Sequence, residues 1–428
     1  MYSGAKNLQK NNSITNETEV CVYCGKNPTP HFLAWYFESM NLWLTPVRKV
    51  LLFNPLSTVI KKIFIKINLS LRFFRLGRFL GIIGLQEDIN KCKVLRAKVL
   101  WEEAQKRGIE MKELLLFGKP FDTYIATKKE FLKKQQMSNS KPTIIFSGLP
   151  RPQDYNDSSL DWMDDKWLFK KKLLQHNLPV ANGAAAWTFN RAKKFFYEIQ
   201  ATRYPLPATR LPVIIKPRAG SRGRHSTIFV SSVDDLRHAF KIAKQLCFWV
   251  VVEEQLSGPV YRATLINYEL CGVLRGDGPQ VVGDGVRNIR ELIEIKNSQP
   301  HLGVKDIQVD ASMELFLSRQ NLNLRAVPKK DEVINLSEKI GVNYGGSSSE
   351  DFEVCHADNK ELFIRAAKII GDPIVGFDFI IPDITKSWKE QRSGFIEANS
   401  LPFINLHHDP LHGQPRNLAS KVWEMKNW

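Results

Sequence analysis

Three oxygen-bearing side chains near the carboxyl end, Asp378, Glu397 and Asn399, have the types and spacing to hold a divalent cation. Glu397 and Asn399 stand two apart in the run Phe395-Ile396-Glu397-Ala398-Asn399, and residues two apart on a strand point to one side. Asp378 lies in a second apolar run, Val375 to Ile380, and supplies a third oxygen if the two runs pair as strands. Acidic groups left unpaired in such strands would be costly, and a cation offsets that cost. Magnesium takes hard oxygen ligands and commonly bridges protein carboxylates to nucleotide phosphates. A solvent-exposed strand end explains any one of the three residues, but poorly all of them together.

Two further features point to a nucleotide. Lys216 closes the strand-like run Val213-Ile214-Ile215, and a loop rich in Gly and Arg follows, Gly220-Ser221-Arg222-Gly223-Arg224. Glycines let backbone N–H groups approach phosphate oxygens, and Lys and Arg neutralise them. The spacing is neither that of a P-loop nor that of a Rossmann fingerprint. Further on, Val251-Val252-Glu253-Glu254-Gln255-Leu256 reads as a strand running into an acid and a short linker. There a carboxylate or a backbone carbonyl accepts from the amine of adenine while a backbone N–H donates to its ring.

These residues need a frame. Strands are expected at 213–216, 228–230, 248–252, 375–380 and 395–399, with helices at 165–176, 232–247 and 358–370. Before them the sequence predicts a helix from Asp88 to Lys106, a hairpin of 110–117 and 121–127, and a buried strand at 143–147. The expected division is a flexible lead-in, 1–40, then a basic helical segment and small α/β domain, 41–162. A core follows at 163–428, split into a clasping part, 163–256, and a metal and substrate part, 257–428.

In this order, basic strand end, glycine loop, strand-acid-linker and acidic strands resemble the ATP-grasp ligases, whose fold is α+β with two subdomains clasping ATP. Residues 163–428 are similar to the ATP-grasp portion of cyanophycin synthetases, through IIKPRAGSRGRHST, VVVEEQLSGPVYR, VVGDGVRNIRELIEIKNSQP, GFDFIIPDI and GFIEANSLPFINLHHDPLHGQPRNLA. The resemblance implies an ADP-forming carboxylate–amine ligase that uses ATP and two magnesium ions, with manganese an alternative. It implies that Lys166 and Lys216 contact the phosphates and that Ser221, Arg222 and Gly223 form a flap. Glu253, Gln255 and Leu256 would hold adenine, and Asp378, Glu397 and Asn399 the metal. Arg262 and Arg275 would face the transferring phosphoryl group, and Ser347 and His407 the carboxylate substrate. The stretch near Pro259-Val260-Tyr261 lacks the acid expected at the ribose, and Gly341 stands where an Asn is expected. A nucleotide-binding regulatory or scaffold protein with a decayed site is therefore the alternative. With no Mur-ligase-like domain after Trp428, a polymerase alternating two amino acids is not expected.

Composition bounds the rest. The 428 residues, 43% hydrophobic and 25% charged, suit a folded protein of two or three domains rather than a disordered chain. Six scattered cysteines argue for a reducing compartment over a disulfide framework. The amino terminus has no apolar signal core, so a cytoplasmic location is expected. The net charge of +17 points to anionic partners. Twelve Lys or Arg against Glu87 and Asp88 put much of it between Asn41 and Lys98. Apolar positions from Ile60 to Phe74 recur there at helical spacing. A core-facing domain helix is the first reading, and a peripheral contact with an anionic membrane surface the second. Nucleic acid is not the expected partner; a homo-oligomer is. Cys21 and Cys24 form a single C-x-x-C, read as two free thiols because a closed zinc site needs four ligands and no second pair is visible.

Overall fold

The computed structural model of the chain describes residues 20–21, 25–26, 31–36, 38–40, 42, 77–128, 143–155, 162–163, 165–201, 212–220, 223–299, 304–337 and 339–428. The amphipathic stretch Ile60 to Phe74, Cys24, and the flap residues Ser221 and Arg222 lie outside them. Among the described residues no helix is long and apolar enough to cross a membrane.

The first layer is an antiparallel meander of β1 (Ile83–Gln86), β2 (Ile109–Leu116), β3 (Lys119–Lys128) and β4 (Thr143–Ser147), with α1 (Leu95–Lys106) on one face. Ile109 and Met111 alternate inward along β2 to meet Ala97, Leu100, Trp101 and Ala104 of α1. The helix expected from Asp88 starts later. The Asp88 carboxylate accepts from Asn90 N–H at 3.0 Å and closes a short 3-10 turn, and the chain then extends through Cys92. This local bond competes with the helix. The core of the layer is closed by the last helix, Leu418–Met425. Its Trp423 is fully buried, meets Phe146 edge-on at 5.5 Å, and donates its indole N–H to Leu100 O at 3.1 Å.

The second layer holds α2 (Lys166–Leu174), β5 (Gly183–Ala186), α3 (Phe189–Ala201), β6 (Val213–Pro217), β7 (Thr227–Val230), α4 (Val233–Lys244) and β8 (Val250–Glu254). The strands pair antiparallel in the order β5-β8-β6-β7. Phe196 of α3 and Leu236 and Phe240 of α4 cover Val213, Ile215, Val250 and Val252. Ser232 caps α4 by accepting from Asp235 N–H at 3.1 Å, with Asp234 and Asp235 in the first turn where the helix dipole favours acids.

The third layer contains β9 (Val260–Ile266), β10 (Glu269–Asp277), β11 (Ser347–Glu350), α7 (Ala357–Ile370), β12 (Ile374–Ile380), β13 (Gly394–Asn399) and β14 (His412–Gly413). The six strands run in the order β13-β12-β9-β10-β11-β14. Between β10 and β11 an insertion carries α5 (Ile289–Asn297) and α6 (Ala311–Arg319) over a ribbon of Gln280–Val282 and Val333–Asn335, with its own core around Ile293, Leu317 and Leu336. One face of the large sheet is apolar: Tyr261, Ala263, Phe377, Phe379 and Phe395 pack against Phe169 of α2 and Phe363 of α7. The other face carries Arg262, Asp378 and Glu397. Gly371 ends α7 in the left-handed region, φ 85°, and returns its N–H to Ala367 O at 2.9 Å.

The first and third layers are joined by a buried ion pair. Arg151 reaches Asp372 at 2.6 Å and also donates to Ile374 O at 2.7 Å and Ser400 O at 2.8 Å. Removing one member of such a pair strands the other in a dry interior. Arg151→Met is expected to destabilise the chain by about 3–5 kcal/mol in urea unfolding. A loss below about 1 kcal/mol, the scale of an exposed pair, would show that the joint does not hold the layers together.

Candidate active site

The acidic group arises from strand register. Asp378 of β12 lies directly across from Arg262 of β9 on one side and Glu397 of β13 on the other, and Gly376 lies across from Asn399. A register shift between Asp378 and Phe379 keeps Phe395 in the core while Glu397 shares the polar face. Arg262 grips Asp378 with two parallel hydrogen bonds, 2.8 and 2.9 Å. Burial works against its charge, but the Asp378 carboxylate more than offsets it and holds the guanidinium pKa above its ordinary value. Glu397 makes no comparable bond. Burial first, and then the negative charge of Asp378, push its carboxyl above the usual range. The Asn399 amide nitrogen is buried without a hydrogen-bond partner.

Facing this group are three lysines on the second layer. Asp165 caps α2, accepting from Trp167 N–H at 3.0 Å and Leu168 N–H at 3.1 Å, and is itself held by Arg218 at 2.8 and 2.7 Å. This cap fixes Lys166 at the first position of α2, where it donates to Gly220 O in the glycine loop. One turn on, Lys170 is fully buried and bonded to Glu253 of β8; Lys216, at the end of β6, bonds to the same carboxylate. Burial would raise the Glu253 pKa, yet Lys170 and Lys216 hold it below the usual range, so the group is ionised. Burial lowers Lys166, and it pulls Lys170 down to about 8. Two buried lysines on one buried carboxylate, with half-buried Lys166 beside them and Glu397 beyond, leave a surplus of positive charge where an anion would be welcome.

The sign of the Lys170 shift can be tested. Between about pH 8 and its unfolded value of 10.5, the unfolded chain binds a proton that the folded chain does not. Stability contributed by this lysine therefore rises with pH across that window. In denaturant titrations the margin of wild type over Lys170→Met should grow from pH 8 to pH 10. A margin flat with pH would show that Lys170 stays charged.

Several expected residues are placed otherwise. Glu253 spends its carboxylate on lysines, and the Gln255 amide oxygen accepts from Phe229 N–H at 2.7 Å, so neither side chain is turned toward an adenine. Leu256 is buried. Arg275 lies across from Tyr261 and Ser349, on the opposite face of the sheet from Arg262, and pairs with Asp277 at 2.9 Å. Ser347 pairs with Asp277 on that same far face. The two arginines therefore do not converge. His407 is fully buried: its ring meets Thr264 Oγ1 at 2.8 Å and the Glu350 carboxylate at 2.5 Å, which makes it a brace between strands rather than a surface for substrate. Gly223 turns with φ 63° and its carbonyl accepts from Ser226 N–H at 3.2 Å. Lys170 was not expected at the site; its i,i+4 spacing from Lys166 is the signal that would have found it.

Two α+β subdomains, with Lys216 on one sheet, Lys166 and Lys170 on helix α2 beside it, and the Asp378–Glu397–Asn399 group on the other sheet, define the class: the chain has the ATP-grasp fold. Within that class, its core is similar to two kinds of amide-forming enzyme. Over 339 residues, 77% of the chain, it is 28% identical to the glutathione biosynthesis bifunctional protein of Clostridium perfringens, covering 41% of that protein. Over 269 residues, 61% of the chain, it is 32% identical to cyanophycin synthetase of Crocosphaera subtropica, covering 30% of it. Among solved structures, a bifunctional glutathione synthetase from Pasteurella multocida matches 79% of the chain and 43% of its own length, with TM-score 0.52 and 24% identity. The chain thus spans less than half the length of these relatives. No family model matches it.

Proposed function

We propose that the chain is an ADP-forming carboxylate–amine ligase that joins an amino acid or small peptide to an amine through an acyl phosphate. The observation that carries this reading is the facing of two groups: half-buried Lys166 and buried Lys170 of α2 with buried Lys216 of β6, and Asp378, Glu397 and Asn399 on the large sheet. Lysines without enough carboxylates suit the oxygens of a triphosphate. Like-charged Asp378 and Glu397 side by side on paired strands, with Asn399 two residues on, suit a hard divalent cation. Bound there, magnesium would neutralise developing phosphate charge.

The residues of the chain then take separate parts. Lys166 and Lys216 hold the phosphates, while Lys170 fixes Glu253 so that Lys216 keeps its aim. The loop around Gly223 covers the phosphates, and Ser221 and Arg222 belong to it by sequence. The adenine lies along residues 254–256 and is read by backbone groups. Arg262, at the edge of the acidic group, stabilises the oxyanion as a substrate carboxylate accepts the phosphoryl group and an amine then displaces it. His407 positions β9 against β11, and Arg275 and Ser347 support the edge strand. The enzyme works in the cytoplasm as a homo-oligomer; for the basic segment 41–98 a core-facing helix is the first reading and a peripheral contact with an anionic membrane surface the second.

The deciding experiment is ADP and phosphate release across paired panels of carboxylates and amines, with magnesium present. Release that needs both a carboxylate and an amine supports the ligase. Tight ATP binding with no release on any pair would establish instead a nucleotide-binding protein.

A further inference from the structure

One group of side chains stands apart from the lysines and the acidic strands. Cys21 Sγ, a ring nitrogen of His31 and a ring nitrogen of His225 all lie within 4.8 Å of one another. The Cys21 sulfur is 3.5 Å from His225 Nε2, and the rings of His31 and His225 meet edge-on with centroids 4.7 Å apart. The three come from distant parts of the chain, the lead-in, the start of a helical stretch at 31–36, and the loop between β6 and β7.

The geometry is that of ligands around a small ion. Zinc binds thiolate sulfur at about 2.3 Å and imidazole nitrogen at about 2.0–2.1 Å, and a tetrahedral angle between them sets sulfur and nitrogen about 3.5 Å apart. His225 is prepared for the role. It is fully buried, with φ 54°, and its Nδ1 lies 2.9 Å from Ile242 O. Donation from Nδ1 to that carbonyl fixes the tautomer and bares Nε2 toward the sulfur, the usual outer support of a metal-bound histidine. The helical stretch is anchored independently, with Ala34 buried and Ser39 Oγ accepting from Phe248 N–H at 3.0 Å.

We propose that Cys21, His31 and His225 bind a structural zinc ion that staples the amino-terminal segment to the glycine loop. One thiolate and two imidazoles form a borderline-soft donor set that suits zinc and not magnesium. A water or a further thiolate completes the tetrahedron. Cys21, read from the sequence as a free thiol, thus finds its partners in histidines far along the chain rather than in a second cysteine pair. This site is independent of the ligase reading, since no ATP-site residue belongs to it.

The test uses the full chain purified without chelator. Elemental analysis should find one zinc per chain, and replacement by Co²⁺ should give the visible spectrum of tetrahedral cobalt with a sulfur charge-transfer band. Cys21→Ser should remove that band. His31→Gln, at a partly exposed position that the fold tolerates, should keep the band but weaken Zn²⁺ binding by at least about tenfold. A chelator should lower the Tm of wild type and leave that of Cys21→Ser unmoved. Absence of zinc together with no cobalt band in the folded wild-type chain would overturn the proposal, as would a cobalt band unchanged by Cys21→Ser.

Discussion

Glu397→Gln is expected to cut amine-dependent ADP release by roughly 10²–10³, the scale seen when one preorganised charge contact to a transition state is lost. The substitution keeps size and strand position, so the aromatic core behind β13 is undisturbed and the Tm should not fall. It should instead rise slightly above neutral pH. Glu397 has a raised folded pKa, so above its unfolded value ionising it costs the folded state, and the neutral amide removes that cost. ATP binding through Lys166 and Lys216 should survive. Steady-state release together with equilibrium nucleotide binding checks the split, and full turnover in Glu397→Gln would remove this residue from the reacting centre.

Arg262→Ala should be nearly as damaging to turnover, about 10²-fold or more, for a different reason. It deletes the guanidinium that grips Asp378 by two bonds from the side away from Glu397 and leaves Asp378 beside Glu397 without that partner. The Arg262 charge draws the Glu397 carboxyl down; without it that carboxyl rises further, and activity at acidic pH should fall further than at alkaline pH, relative to wild type. Arg262→Lys restores charge without the planar fork, so it should recover only part of the loss. A lysine variant with wild-type rates would show that charge alone suffices and that the bidentate geometry is incidental. Pre-steady-state ADP formation measured on both variants separates these outcomes.

How far the sequence disclosed this arrangement varies residue by residue. Asp378 was legible because it alternates with Phe377 and Phe379 on a strand; Glu397 and Asn399 share the sequence parity of Phe395, and only the register shift opposite Asp378 puts Glu397 on the other face from Phe395. Their adjacency is a local consequence of β12 pairing with β13. Arg275 was not legible, since its face depends on which residue of β9 it opposes, and Tyr261 is known only from the assembled sheet. Lys170 was missed because a lysine in a helix is ordinarily a solvated one, and nothing in a short window shows that Glu253 lies over it. The resemblance implied that His407 faces the carboxylate substrate, yet Thr264 and Glu350 enclose it. Cys21 and His225 are separated by 204 positions, beyond the reach of any motif. Where elements were expected, helix and strand types agree, with a late start of α1 set by the side chain of Asp88; β9, β10, and the helices Phe189–Ala201, Ile289–Asn297, Ala311–Arg319 and Leu418–Met425 were not expected.

The seat of Trp423 has a consequence for how the molecule comes into being. Its indole bonds to a carbonyl 323 positions earlier, inside the core of the meander. While the ribosome is still adding the ATP-grasp strands, the first-made layer waits with Leu100, Trp101 and Phe146 lacking their lid. Such a topology has high contact order and exposes apolar surface until the final residues emerge, so folding is slow and depends on the tail being made. Chains stalled or clipped before Leu418 should bind general chaperones rather than fold layer by layer.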